Sequence, residues 1–220
     1  MKAPARIAIL GCGGLGVPAA WTLVLGGIRH LRLVDRDCVE LSNLHRQVLY
    51  SMADIGQPKA KALARHLSAL VDDLDIEIVE ESADLSSIQR LLQGCMAVLE
   101  ATDDPACKFA VCDAAAHAGM VASIAAAIGQ RGQWFGQRPG GACYRCLFEI
   151  PPDPAQLATC SLAGVLGPIT GQVGAMAAQT LIHLLQGQPD AADGALVRLN
   201  ARGLLRTAVT IAGDCTNHLS

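Results

Sequence analysis

The sequence predicts an α/β fold: a mostly parallel sheet with helices on both faces, completed by antiparallel strands in the C-terminal part. Three observations carry this. Apolar strand runs alternate with helical patterns from residue 6 to about residue 127, the rhythm of crossovers that make neighbouring strands parallel. The first unit is Ile7-Ala8-Ile9-Leu10, then Gly11-Cys12-Gly13-Gly14-Leu15-Gly16, then an apolar run to Leu25. It reads as strand, glycine turn and helix. After Gly129 the pattern changes to short strands around glycine turns, and it ends in a hairpin over residues 196–199 and 204–211.

The glycine turn lets the backbone bend tightly and approach a phosphate closely. The helix behind it offers unpaired N–H groups and the positive end of its dipole to an anion. The second strand, residues 31–34, ends on Asp35, 19 residues after Gly16. A carboxylate at that spacing accepts hydrogen bonds from ribose hydroxyls. The unit is Rossmann-like and predicts nucleotide binding by Gly11, Gly13, Gly14, Gly16 and Asp35.

A polar loop covers residues 39–57, and Pro58, a favoured first helical residue, opens a helix to Leu70. Residues 76–79 alternate as a strand. Residues 85–92 form a short helix stopped by Gly94. Residues 96–99 are a buried strand whose carboxyl end delivers Glu100-Ala101-Thr102-Asp103-Asp104. Pro105 starts a helix to Gly119, and residues 121–127 are the next strand. Residues 130–135 and 142–148 read as antiparallel strands around Gly140-Gly141, with Pro151-Pro152-Asp153-Pro154 as a stiff loop. A long helix rich in small residues, from 166 or 168 to 186, is expected to pack closely on a neighbour. Trp21 and Trp134 are expected in the core. His45, His117 and His183 have no evident partners and read as structural or surface residues.

Composition bounds the function. A chain of 220 residues suits one domain with a sizeable core. It is 51% hydrophobic and only 3% aromatic, so that core is aliphatic. A net charge of −3 gives no broad electrostatic case for nucleic acid. The apolar stretch over residues 157–185 is interrupted by Gly164, Gly167, Pro168, Gly171 and Gly174, so no membrane span is expected. The first apolar run is too short for a signal-peptide core, and the expected location is cytoplasmic. Nine cysteines, several inside apolar elements (Cys95, Cys107, Cys112), favour buried thiols and a metal site over a disulfide framework.

Ligands of open α/β sheets lie outside the carboxyl ends of the strands. A carboxylate beside a triphosphate is repelled unless a cation intervenes, so Asp103 predicts Mg²⁺. Asp104, directly before Pro105, suits the helix cap and leaves Asp103 free. Arg46, a planar donor fork, and Lys59, a point charge at a helix start, are the candidate phosphate cations. Cys143-Tyr144-Arg145-Cys146 and Cys215-Thr216-Asn217-His218 supply two ligand pairs. Together they match a tetrahedral Cys₃His zinc site of Cys143, Cys146, Cys215 and His218. Cys160 stands in a loop before the long helix, where local positive charge or a helix N-terminus activates a thiol. Its spacing fits an inert cysteine equally well.

Taken in chain order, six segments resemble the motifs of the ThiF/MoeB/HesA-type adenylating enzymes, which are similar to the activating enzymes of ubiquitin. These are the glycine loop, the strand ending in Asp35-Arg36-Asp37, Ser42-Asn43-Leu44-His45-Arg46-Gln47, Gly56-Gln57-Pro58-Lys59, Ala101-Thr102-Asp103-Asp104 and Cys143-Tyr144-Arg145-Cys146. The similarity covers nearly the whole chain. The Ser-Asn-Leu-x-Arg-Gln run and the cysteine pair are its most specific parts. It implies a single adenylation domain over residues 1–220, with a nucleotide-binding half (1–128) and a carrier-binding and zinc half (129–220). It implies ATP, Mg²⁺ and Zn²⁺ as cofactors. It also implies attack of a partner's C-terminal glycine carboxylate on the α-phosphate, giving an acyl-adenylate and pyrophosphate. The implied partner is a small ubiquitin-like (β-grasp) sulfur carrier ending in Gly-Gly, serving cofactor or thio-metabolite synthesis, and the implied assembly is a homodimer.

Carried over by residue, the resemblance implies that the glycines cradle phosphate and Asp35 holds ribose, with Asp37 counted among the nucleotide-binding residues. Asn43, Arg46, Gln47 and Lys59 contact the triphosphate, and Asp103 holds magnesium. Cys143 and Cys146 are half of the zinc site. Cys160, in Thr159-Cys160-Ser161-Leu162-Ala163-Gly164-Val165, matches a cysteine used in sulfur transfer. Three departures stand out. Only six residues precede Ile7, so the arginine that relatives carry on an N-terminal arm, reaching a neighbouring subunit's ATP, is expected to be absent. That predicts slower or partner-dependent adenylation and favours, as a second reading, a non-catalytic adaptor. His218 replaces the usual fourth zinc cysteine, and Asp104 a usual asparagine. A third reading, an NAD-dependent oxidoreductase, is compatible with the first 35 residues but finds no evident acid or base for hydride transfer.

Overall fold

The computed structural model describes residues 5–148, 150, 164–200 and 203–210. Strand β1 (Arg6–Leu10) passes through the glycine loop into α1 (Gly16–Leu25), and β2 (His30–Val34) returns beside β1. Two 3-10 turns, Leu41–Asn43 and Met52–Asp54, punctuate the long loop to α2 (Lys59–Ser68). Then come β3 (Asp75–Val79), α3 (Ile88–Leu92), β4 (Cys95–Glu100), α4 (Pro105–His117) and β5 (Val121–Ile128). The C-terminal part holds β6 (Arg131–Gln137), the short α5 (Tyr144–Leu147), the long α6 (Gly167–Leu185), β7 (Ala195–Asn200) and β8 (Gly203–Thr210).

The described strands form one sheet in the order β3-β2-β1-β4-β5-β6-β7-β8. The first five are parallel and the last three antiparallel. Strand addition reverses at β1: β2 and β3 extend one side, β4 and β5 the other. Crossover connections splay apart at such a reversal and leave a crevice at the carboxyl ends of the strands.

Both faces of the parallel part are covered, which is why its strands read as continuous apolar runs. Ile7, Ile9, Leu31, Leu33 and Leu99 pack with residues of α1, α2 and α6. Ala8, Leu10, Val34, Val98 and Ile124 pack with α3 and α4. The small residues of α6 serve close approach: a Cβ on Gly174 would collide with the Leu15 carbonyl and lie 2.7 Å from Pro18. The C-terminal end of the glycine loop and the start of α1 therefore rest directly on α6.

Three expectations change. Residues 142–148 are not a strand. The chain closes there into a knuckle, with Cys146 N–H donating to the Cys143 carbonyl (3.0 Å) and Phe148 N–H to the Tyr144 carbonyl (2.9 Å). The Tyr144 ring is drawn among Phe109, Phe135 and Phe148, with centroids 4.8–6.0 Å away, and that burial outweighs strand propensity. Trp134 is in the core, but Trp21 on α1 is only half-buried. The three histidines do have partners: His183 pairs with Asp190 (2.8 Å), His117 bonds the Asp113 carbonyl (2.7 Å) and His45 the Ser42 carbonyl (3.0 Å).

Candidate active site

Three adjacent strand ends build the site. Gly11 N–H donates to the Val34 carbonyl (2.9 Å) at the end of β2, and Ala101 N–H to the Leu10 carbonyl (2.8 Å) at the end of β1. The glycine loop therefore lies between Asp35 on one side and Thr102-Asp103 on the other. Gly11 has φ +91°, a left-handed conformation open to glycine, and a Cβ there would meet the Ala101 carbonyl oxygen at 2.8 Å. Gly16 lies against the Gly11 carbonyl with no room for a Cβ, which closes the turn on itself. Gly14 faces Thr170 and Arg46, and a Cβ on Gly13 would lie 3.6 Å from the Gln47 amide nitrogen. The loop is thus bounded by the segment after β2 and by the start of α6.

Asp35 organises the floor. Its carboxylate accepts from Cys12 N–H (2.7 Å) and Asp37 N–H (2.8 Å). Burial pushes this carboxyl above its usual range, against those two N–H groups and the Lys59 ammonium. Burial, then the nearby Asp35 charge, also pushes the Cys12 thiol far up, so this cysteine is an inert packing group rather than a nucleophile. Lys59 opens α2 with its side chain only 9% exposed, and its ammonium contacts Asp37 at 2.8 Å. Asp37 carries the proximal end too, since its carbonyl accepts Lys59 N–H (2.9 Å). The lysine is therefore held at both ends by Asp37.

The 3-10 turn Leu41–Asn43 presents the other cation. The buried Asn43 carbonyl accepts the N–H groups of Arg46 and Gln47 (both 3.1 Å), and this turns both side chains toward the glycine loop. Arg46 bonds the Ser42 carbonyl (3.1 Å) and, among the described ion pairs, has no carboxylate partner. Gln47 is 2% exposed, and its side-chain oxygen accepts no hydrogen bond among the described residues. A buried polar atom without a partner costs roughly 1–3 kcal/mol, so it marks where a ligand or water completes the site. Gly167, at the start of α6, packs on the backbone of His45 and Arg46: a Cβ there would lie 2.6 Å from the His45 carbonyl oxygen. Cation, amide, glycine loop and ribose-spaced carboxylate are the chemical groups a nucleoside triphosphate requires, and the exposed Asp103 carboxylate could hold a divalent cation.

At the end of β4 lies a pair that sequence reasoning missed. Glu100 is fully buried and Lys108 on α4 is 5% exposed, with ammonium and carboxylate 2.5 Å apart. Lys108 also donates to the carbonyls of Thr102 and Ala125 (both 2.8 Å), and Glu100 accepts the N–H (2.8 Å) and hydroxyl of Thr102. Burial pushes the Glu100 carboxyl up, while the Lys108 ammonium opposes that shift. The pair fixes the turn that carries Asp103, which is exposed. Asp104 caps α4 as expected, accepting Ala106 N–H at 2.9 Å, and the Asp103 side chain has no hydrogen-bond or ion-pair partner among the described residues. One signal was available: Lys108 is a single charge inside the apolar run Pro105-Ala106-Cys107-Lys108-Phe109-Ala110-Val111.

Farther along, Cys143 and Cys146 bring their sulfurs to 3.7 Å. Arg145 clamps the knuckle to α4 through Asp113 (2.7 and 2.8 Å) and lies over the Phe109 ring at 5.2 Å. Among the described residues no three metal-ligating side chains gather. The expectations for Cys160, Cys215 and His218 lie outside the described residues. Among the described residues no helix is long and apolar enough to cross a membrane.

A model of the ThiF family matches residues 3–217. The chain is 36% identical over 196 residues to the SAMP-activating enzyme E1 of Haloferax volcanii, covering 89% of this chain and 73% of that protein. It is 34% identical over 186 residues to the adenylyltransferase and sulfurtransferase MOCS3 of Arabidopsis thaliana, covering 83% of this chain but 40% of that protein. The chain thus spans less than half of the plant protein. Among solved structures, E. coli MccB with ATP superposes with a TM-score of 0.82 at 19% identity, over 98% of this chain and 66% of that one, a likeness of fold. The family match over residues 3–217, with a relative 36% identical over 89% of the chain, identifies the chain as a member of the ThiF family.

Proposed function

We propose that this chain uses MgATP to adenylate the C-terminal glycine of a small ubiquitin-like (β-grasp) sulfur carrier ending in Gly-Gly, for sulfur transfer in cofactor or thio-metabolite synthesis. The observation that carries the reading is the convergence of the glycine loop, Asp35, Arg46, Lys59 and Asp103 at the strand reversal. The Haloferax relative's name, SAMP-activating enzyme E1, and the plant relative's name, adenylyltransferase and sulfurtransferase, support it. A carboxylate is a poor electrophile, so conversion to a mixed anhydride with AMP supplies a leaving group. The carrier carboxylate oxygen forms a bond to the α-phosphorus, and the bond from that phosphorus to the bridging oxygen of pyrophosphate breaks.

In this reading Asp35 takes the ribose hydroxyls, and the loop amides with the α1 dipole take the phosphates. Negative charge grows on the departing pyrophosphate, where Arg46 and Lys59 stabilise it most. Asp103 would hold Mg²⁺, which neutralises phosphate charge when bound. The deciding experiment is ATP–pyrophosphate exchange by the purified chain with and without its Gly-Gly carrier. Exchange that needs both carrier and Mg²⁺ is expected; ATP binding with no exchange above background in the presence of the correct carrier would sink the enzyme reading. A homodimer is part of this proposal, and sedimentation that finds a monomer at working concentrations would remove it.

Two further parts of the reading concern sulfur ligands. Tetrahedral zinc with bonds of about 2.3 Å to sulfur separates two thiolates by roughly 3.8 Å, close to the 3.7 Å between Cys143 and Cys146. With Cys215 and His218 they form the proposed structural site. Protein never exposed to chelator is expected to contain one zinc per chain by elemental analysis, and a zinc-free result refutes the site. Cys160 is proposed as the thiol that carries sulfur to the activated carrier. Mass spectrometry of Cys160→Ala with carrier, ATP and a sulfur donor is expected to find slower thiocarboxylate formation; a wild-type rate would make the residue structural.

A further inference from the structure

We infer that the Tyr50 hydroxyl is a positioning group of the nucleotide site, tying the glycine loop to the Lys59 turn; the inference rests on the reading of that crevice as an ATP site. Tyr50 leaves the polar loop after β2 and is almost wholly buried. Its O–H lies 2.8 Å from the Cys12 carbonyl and 3.0 Å from the Lys59 carbonyl. One proton shared by two acceptors makes a three-centre bond. Here the acceptors belong to two elements that meet the phosphates from different directions.

The consequence for the loop follows from peptide planarity. In a trans peptide, the carbonyl of one residue and the N–H of the next point opposite ways. With the Cys12 carbonyl held on Tyr50, the Gly13 N–H is directed away from Tyr50. The Cys12 N–H is already held by Asp35. Both peptide planes flanking Cys12 are therefore fixed by side chains, and the Cys12 carbonyl cannot swing toward a phosphate that would repel it. The same hydroxyl holds the first residue of α2, and so the base of the Lys59 side chain.

Tyr50 is itself anchored. The next residue, Ser51, donates its N–H (2.8 Å) and hydroxyl (2.9 Å) to the fully buried Asp54, which also takes His66 (3.0 Å) and Arg65 of α2. The His66 ring lies 6.5 Å from the Tyr50 ring. Burial pushes the phenol far above its usual range, so the hydroxyl remains a donor.

Tyr50→Phe removes the proton and keeps the ring. In the full chain, the dissociation constant for a non-hydrolysable ATP analogue with Mg²⁺, measured by calorimetry without carrier, is expected to rise about tenfold, the equivalent of about 1.4 kcal/mol. KM for ATP in the exchange assay should rise in parallel, with kcat within about twofold, because the held loop serves ground state and transition state alike. Hydrogen exchange of the amides of residues 11–17 should speed up about tenfold, while that of β5 and β6 stays unchanged. A lower melting temperature with unchanged nucleotide affinity and unchanged loop exchange would overturn the inference and leave Tyr50 a packing residue. If the wild-type chain binds ATP yet shows no exchange, the adenylation reading fails alone, and calorimetry with hydrogen exchange still decides the tether. A wild-type chain that binds no nucleotide overturns both.

Discussion

Lys59→Ala and Arg46→Ala are each expected to slow carrier-dependent ATP–pyrophosphate exchange by about a hundredfold or more. Removing one preorganised contact to a developing charge typically costs on the order of 3–4 kcal/mol of transition-state stabilisation. The two residues are prepared differently. Lys59 is nearly buried, and its ammonium is already fixed on Asp37, so little reorganisation remains when phosphate arrives. Arg46 is more accessible, is held among the described residues by the Ser42 carbonyl and the His45 ring, and gains order on binding. Lys59→Ala should therefore act mainly on kcat, and Arg46→Ala on both kcat and KM. Asp35→Ala is the internal control: ribose contacts are felt in ground state and transition state alike, so KM should rise more than kcat falls. Exchange rates of Lys59→Ala and Arg46→Ala within about threefold of wild type would mean that these cations do not meet the reacting phosphates.

Lys108→Met is expected to destabilise the fold by roughly 3–5 kcal/mol, the usual cost of leaving a buried charge without its partner. At roughly 2–4 °C per kcal/mol for a chain of this size, the melting temperature should fall by about 6–20 °C. The double variant Glu100→Leu/Lys108→Met should recover part of the loss, because two apolar side chains often replace a buried ion pair at little cost. Recovery stays incomplete because Glu100 also holds the N–H and hydroxyl of Thr102. The pH dependence has a definite sign. Burial raises the folded-state pKa of Glu100, and removing the lysine removes the strongest opposing influence, leaving the weaker Thr102 hydrogen bonds against it. The folded variant then binds more protons than the unfolded chain, so its stability falls as pH rises through that range. Its deficit against wild type should be smaller at about pH 5 than at about pH 8. A melting temperature for Lys108→Met within about two degrees of wild type would show that the pair contributes little.

The fold of the N-terminal half was readable because its signals are local. A strand, a glycine turn and a helix occupy consecutive residues, and steric limits on the backbone turn Gly11 and Gly16 directly into a tight loop. Asp35 was legible from its distance to that loop, and the capping role of Asp104 from its place before Pro105. Local patterning also gave the helix boundaries to within a few residues, and the closing hairpin. It failed at residues 142–148, where local propensity favours a strand. The Tyr144 ring is instead buried among Phe109, Phe135 and Phe148, contributed by α4, β6 and the residue after α5. Distant side chains decided a local conformation there.

By itself the sequence determined the α/β class, the tight glycine turn between the first strand and helix, and the antiparallel character of the C-terminal strands. Each of these is written in periodicity, turn chemistry or spacing along a short stretch of chain. The strand order, and with it the reversal at β1, came from the tertiary structure. Only the tertiary structure decided which groups hold which. It set Lys59 on Asp37, turned the Cys12 carbonyl onto Tyr50 and buried Lys108 against Glu100. It also brought Gly14 under Thr170 of α6, more than 150 residues away in sequence. Those contacts join residues from separate elements, and their energies depend on burial and on distances of a few ångströms. Neither quantity exists until the sheet has formed and the helices have packed onto it.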